Sequence, residues 1–145
     1  MFFSEKAQCS MCHTVGDEGG TLGPDLTTIG LVRSGHDLLE SVLFPTASMV
    51  PDYVPYIVEM EFEDVLGIIV GETTDAITVA TAVNETRQIS RKNISTMRPH
   101  TISMMPKGLD AGFTDTELID LITFLQSLNN ERWLMPERWE GKEGH

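Results

Sequence analysis

Hydrophobic positions along the 145-residue chain change period twice. In "SGHDLLESVLFP", Leu38, Leu39, Val42 and Leu43 fall at helical steps, which predicts a helix after Ser34 with these side chains inward. It stops at or before Phe44, because Pro45 disfavours helical backbone in the residue preceding it. The same period returns near the end with Leu118, Leu121, Ile122, Leu125 and Leu128. Thr114-Asp115-Thr116-Glu117 stands ahead of them as a capping box, with the threonine and the glutamate satisfying each other's backbone N–H. The opening "MFFSEKAQ" is helix-compatible and carries no strand pattern, so a helix is expected there too. Phe3 and Phe124 are candidates for an aromatic contact between the first and last helices.

From Tyr53 to Met97 the pattern turns to β. "YIVEMEF", "VLGIIVGET", "AITVATAV" and "TRQISRKNI" are rich in Val, Ile and Thr, with turn-formers between them. Short alternation at Ile77–Val79 and Arg87–Ile89 predicts a half-buried antiparallel sheet. Thr73-Thr74-Asp75 and Asn84-Glu85 are the expected hairpin turns. Four such strands predict a small, strongly bent sheet or partial barrel, read as a lid over a cofactor edge or as a docking surface. The expected organisation is one domain over residues 1–128 carrying a β insertion at about 54–97, then a tail or linker over 129–145. That tail repeats Glu-Arg-Trp at Trp133 and Trp139.

Composition narrows the function classes. Apolar residues make 41% and charged residues 22%, an ordinary globular balance. Apolar runs reach only about four residues, far short of a membrane span. The net charge is −12, from 22 acids against 10 bases, and no basic cluster offers a footprint for nucleic acid or an anionic membrane. Such a surface favours a partner with a basic docking face. Met1–Glu5 lacks the basic start and apolar stretch of a signal peptide, so any export leader is expected outside this sequence.

The chain's only cysteines, Cys9 and Cys12, stand in "CSMCH" with His13 directly after. A thioredoxin-like couple belongs at a strand-to-helix junction, and no strand precedes these residues. Structural zinc takes four ligands, whereas His36, His100 and His145 are isolated. A disulfide across two residues closes a loop too small to stabilise much. Cys-x-x-Cys-His is the attachment signature of c-type haem. Two thiols add to two vinyl groups along one porphyrin edge, and the next residue reaches the iron. One covalently bound haem c is therefore expected, with His13 as proximal iron ligand.

A ligating imidazole needs its other nitrogen oriented. The Pro24 carbonyl in "LGPDL" is the candidate acceptor for His13 Nδ1. For the other iron face Met105 is the first choice, because Pro106 after it fixes an irregular loop. Met104, His100 and an open site are its rivals, and the second Met-Pro pair, Met135-Pro136, ranks below them. Arg87, Arg91, Lys92 and Arg98 are four of the ten bases. Arg98, just ahead of the methionines, is the candidate partner for a haem propionate; the bland alternative is a solvated strand edge.

An N-terminal helix ending in Cys9-Ser10-Met11-Cys12-His13, then Gly23-Pro24, Met105-Pro106 and a terminal helix, as expected here, resembles a class I cytochrome c over roughly residues 1–53 and 97–128. It is more similar still to the haem-binding domain of planctomycete and verrucomicrobial proteins, with "GPDL", a β insert and Ser103-Met104-Met105-Pro106-Lys107-Gly108-Leu109. Glu61-Phe62-Glu63-Asp64 departs from that family's Asp-Gly first turn. The resemblance implies a mainly α helical haem fold with a small antiparallel β insertion between the middle and C-terminal helices. It also implies His/Met ligation by His13 and Met105, and one-electron transfer rather than enzymatic turnover. The partner is then a redox protein or a fused oxidoreductase domain, in the periplasm or another exported location. A haem enzyme or a gas-binding protein with an open distal site is the rival, and a zinc-binding interaction module a second.

Overall fold

The computed structural model describes residue 2 and residues 6–129, in two units: Met1–Leu43 with Gly108–His145, and Phe44–Lys107. In the first, Gln8 takes the left-handed conformation at φ 56°, which regular helices exclude for all but single residues. Cys9–Met11 then form one 3-10 turn. An N-terminal helix running into the cysteines is thus corrected to a turn, because the backbone reverses hand at Gln8. Strands β1 (Thr14–Val15) and β2 (Glu18–Gly19) follow as a two-stranded antiparallel pair. Helix α1 is a single turn, Ile29–Val32, and α2 covers Gly35–Leu43, ending just before Phe44 as Pro45 demands.

Helix α3, Asp115–Ser127, begins at the expected capping box. The Thr114 hydroxyl accepts the Glu117 N–H at 3.1 Å, and the Glu117 carboxylate accepts the Thr114 N–H at 3.0 Å. Glu117 also takes Lys6 Nζ at 2.7 Å, tying the segment ahead of the cysteines to the start of α3. Leu38 and Val42 of α2, Leu121 and Leu125 of α3, and Leu128 beyond it are buried, so the periodicity finds the inward faces. The Gly30 N–H donates to the Leu128 carbonyl at 2.8 Å, joining α1 to the chain just after α3. The aromatic contact falls to Phe2, whose ring centroid lies 5.6 Å from that of Phe124 at 44°. Phe3 and the tail with Trp133, Met135 and Trp139 lie outside the described residues.

The second unit holds five strands: β3 (Tyr56–Met60), β4 (Asp64–Glu72), β5 (Ala76–Ala82), β6 (Glu85–Ser90) and β7 (Ile94–Pro99). All pair antiparallel in the order β6-β5-β4-β3-β7. Val58, Val65, Ile77, Val79 and Ile89 form one buried cluster, with Met60, Ile94 and Met97 packed on it. Every strand contributes to this cluster, so one face of the sheet is apolar across its whole width. The pairing register shifts between Glu59 and Met60, between Ile69 and Gly71, and between Ala80 and Ala82, irregularities of the kind that bend a strand. The turn after β5 carries Asn84 at φ 56°, an asparagine where αL backbone is needed.

Two sequence expectations are corrected here. A fifth strand, β7, extends the insertion beyond residue 97 and takes in Arg98. Among the described residues the class is mixed rather than mainly α, with 34% helix and 30% strand. The class I cytochrome c helical haem fold is therefore overturned. Among the described residues the α-helices have only 4, 9 and 13 residues, beside a five-stranded antiparallel sheet. The reason is local: Pro45 stops α2, α1 makes one turn, and the Val/Ile-rich stretch supplies a core of its own.

Ile77 is 1% exposed at the centre of the sheet cluster. Ile77→Ala is expected to cost about 2–5 kcal/mol of stability. Phe62→Ala, in the β3–β4 turn where the ring is 91% exposed, is expected to stay within about 0.5 kcal/mol. Chemical denaturation of both variants checks the contrast.

Candidate functional site

The cysteine motif folds as a tight turn whose backbone bonds return to its first residue. The N–H groups of Cys12 and His13 both donate to the Cys9 carbonyl, at 3.2 and 2.9 Å. A 3-10 turn has three residues per turn, so Cys9 and Cys12 lie along one side of it. Neither sulfur is in a disulfide. Burial pushes both thiols above their ordinary pKa. That disfavours the nucleophilic thiolate in the metal-free chain. The described residues contain one grouping of three or more metal-ligating side chains, His36, Asp37 and Glu40, and it includes neither cysteine.

Two returning segments hold the motif. The Gly20 N–H donates to the Ser10 carbonyl at 2.9 Å. Further on, residues 23–27 lie along residues 12–16. Gly23 N–H donates to the Cys12 carbonyl at 2.8 Å, and Leu26 N–H to the Thr14 carbonyl at 2.8 Å. Between these two bonds His13 Nδ1 meets the Pro24 carbonyl oxygen at 2.7 Å, the partner expected from the sequence. A carbonyl only accepts, so Nδ1 carries the proton and Nε2 keeps its lone pair for a metal. Burial lowers the His13 pKa and so favours neutral imidazole, and the Pro24 bond opposes it more weakly. Gly23 packs on the ring: a Cβ there would sit 2.6 Å from His13 Cε1, so the close approach requires glycine.

The remaining candidates fall in the second unit. Met105 and Met104 are half-buried, and the Met105 N–H donates to the Ser103 hydroxyl at 3.1 Å. The Ser103 N–H in turn donates to the Thr46 hydroxyl at 3.2 Å. His100 is tied through its backbone, its N–H donating to the Pro55 carbonyl at 2.8 Å. Arg98 lies on β7, where its Nε donates to Glu59 of β3 at 3.1 Å. Arg87 bonds Glu63 at 2.7 Å, and Arg91 reaches Glu72 at 3.5 Å.

Thr27 and Asp25 were missed as site residues. Thr27 is 3% exposed, its hydroxyl donating to Asp25 Oδ1 and accepting the Gly16 N–H at 2.9 Å. An Asp-x-Thr spacing beside the Gly-Pro turn was the available signal, and it is a short one.

The neutral, half-buried His13 predicts a pH dependence. Its folded pKa lies below its unfolded value of about 6.5, so the unfolded chain binds the proton more readily. Its contribution is complete above that value and lost as pH falls toward the folded pKa. Unfolding midpoints of the haem-free chain are expected to drop from pH 7 to pH 5, and His13→Gln to remove that part of the slope.

No family model matches the chain, and no curated protein matches it either.

Proposed function

We propose that the chain is a monohaem electron-transfer module with a covalently attached c-type haem. The observation that carries this reading is the His13 Nδ1–Pro24 carbonyl bond at 2.7 Å, directly after two free cysteines three residues apart. The donor set fits the group: two uncharged thiols on one turn and a neutral imidazole whose Nε2 is available. Haem held there supplies a one-electron couple between ferric and ferrous iron.

The chain's residues divide the remaining work. Cys9 and Cys12 fix the ring through thioether bonds, so the cofactor cannot dissociate. His13 is the proximal ligand, and Pro24 holds its imidazole in one tautomer and raises its basicity. Met105 takes the sixth position, supported by the Met-Pro pattern and by the backbone bond to Ser103. Two protein ligands leave no vacancy for substrate, which suits a carrier. The net charge of −12 supports a redox partner or fused oxidoreductase domain that presents a basic face. Covalent haem attachment places the module outside the cytoplasm, in a periplasm or comparable exported compartment. Among the described residues no helix is long and apolar enough to cross a membrane.

The test is the visible spectrum of protein matured with haem, in ferric, ferrous and ferrous-plus-CO forms. A weak long-wavelength methionine–iron band, with CO leaving the ferrous spectrum unchanged, is the expected result. Met105→Ala is then expected to abolish the band and admit CO, whereas Met104→Ala preserves both. A high-spin ferric spectrum, or rapid CO binding by the wild type, sinks the carrier reading in favour of a ligand-binding or catalytic one. Gly23→Ala is expected to displace the His13 ring and to reduce the yield of haem-loaded, low-spin protein, read from absorbance per mole of chain.

A further inference from the structure

The bond that orients His13 sits in a ladder closed at its far end by a side chain. Going along it, Gly23 N–H meets the Cys12 carbonyl, His13 Nδ1 the Pro24 carbonyl, Leu26 N–H the Thr14 carbonyl, and Gly16 N–H the Thr27 hydroxyl. Thr27 is the polar side chain that is fully buried among the described residues. Its hydroxyl proton goes to Asp25 Oδ1, which also accepts the Thr27 N–H at 2.8 Å. With its proton committed to the carboxylate, the hydroxyl presents a lone pair to Gly16. Asp25 is exposed and directly follows Pro24, so the bend that places Asp25 on Thr27 also sets the peptide plane carrying the Pro24 carbonyl. With φ of Pro24 locked by its ring, the carbonyl can turn only through ψ of Pro24 and φ of Asp25, the residue bonded to Thr27.

We propose that Thr27, with its hydroxyl aimed by Asp25, is a positioning residue for the proximal ligand: the pair fixes the Pro24 carbonyl against His13 Nδ1–H. The consequence for the iron rests on the haem reading above, whereas the effect on the imidazole does not. A held Nδ1–H bond gives the ring partial imidazolate character and stabilises ferric iron. Loosening the bond therefore raises the reduction potential.

The experiment uses the full chain with Thr27→Val, Thr27→Ser and Asp25→Ala. In haem-free protein, nitrogen-15 NMR follows solvent exchange of His13 Nδ1–H. In haem-loaded protein, a redox titration gives the potential. Thr27→Val keeps the shape and removes the hydroxyl; exchange is expected to quicken about tenfold, the scale of one hydrogen bond, and the potential to move upward. Thr27→Ser is expected to restore both values. Asp25→Ala, at an exposed position, is expected to follow Thr27→Val and carries the test if the valine variant does not fold. Lowered unfolding midpoints with wild-type exchange and potential overturn the proposal, because a merely structural role predicts that pattern. If the wild type takes no haem, the haem reading fails, and the exchange data still decide the role of Thr27.

Discussion

One hydrogen bond, from His13 Nδ1–H to the Pro24 carbonyl, fixes the state of the imidazole that follows the two cysteines. Buried polar groups must find partners, and a half-buried imidazole given a single carbonyl acceptor has one satisfied tautomer. In that tautomer Nε2 carries no proton and keeps its lone pair. The loop cannot drift, because backbone bonds at Gly23 and Leu26 bracket the contact and Gly23 lies flat against the ring. The imidazole is thus oriented by the protein alone, and most of the cost of ordering it belongs to folding.

Burial acts on the cysteines and the histidine in the same direction. It pushes the thiols of Cys9 and Cys12 up and the imidazole of His13 down, so the uncharged form of each group is favoured. A neutral thiol is a weak nucleophile, so thiol–disulfide exchange at this turn is disfavoured.

Legibility in the sequence followed how local each cause was. The α2 stop at Pro45 and the capping box at Thr114 are contained in four or five residues, and both stand where they were read. The Pro24 acceptor was legible because the Gly-Pro turn and the histidine are close along the chain. The helix expected before Cys9 was not, since Gln8 is helix-compatible by propensity and its left-handed φ of 56° is set by its surroundings. Strand β7 escaped because "ISTMRP" mixes polar and apolar residues without alternation; its pairing with β3 comes from tertiary contact. The fold class failed on proportion: the helices lie where helical period was strongest, yet the sheet unit extends from Phe44 to Lys107. Thr27 shows a further limit, because a buried hydroxyl closing a loop looks in sequence like any loop threonine.

The arginines illustrate how placement in the fold changes the meaning of a charge cluster. Four bases within twelve residues read as a cation patch or a propionate anchor, but the sheet distributes them along its borders. Arg87 lies on β6 and Arg98 on β7, the two edge strands, with Arg91 and Lys92 on the turn between them. Arg87, Arg91 and Arg98 each bond a glutamate from the β3–β4 region, at Glu63, Glu72 and Glu59. Exposed pairs of this kind add little stability apiece. Their value is that edge strands carrying long charged side chains resist pairing with another chain. A propionate would have to compete for Arg98 with a carboxylate already in place, which makes edge protection the more economical account of that residue.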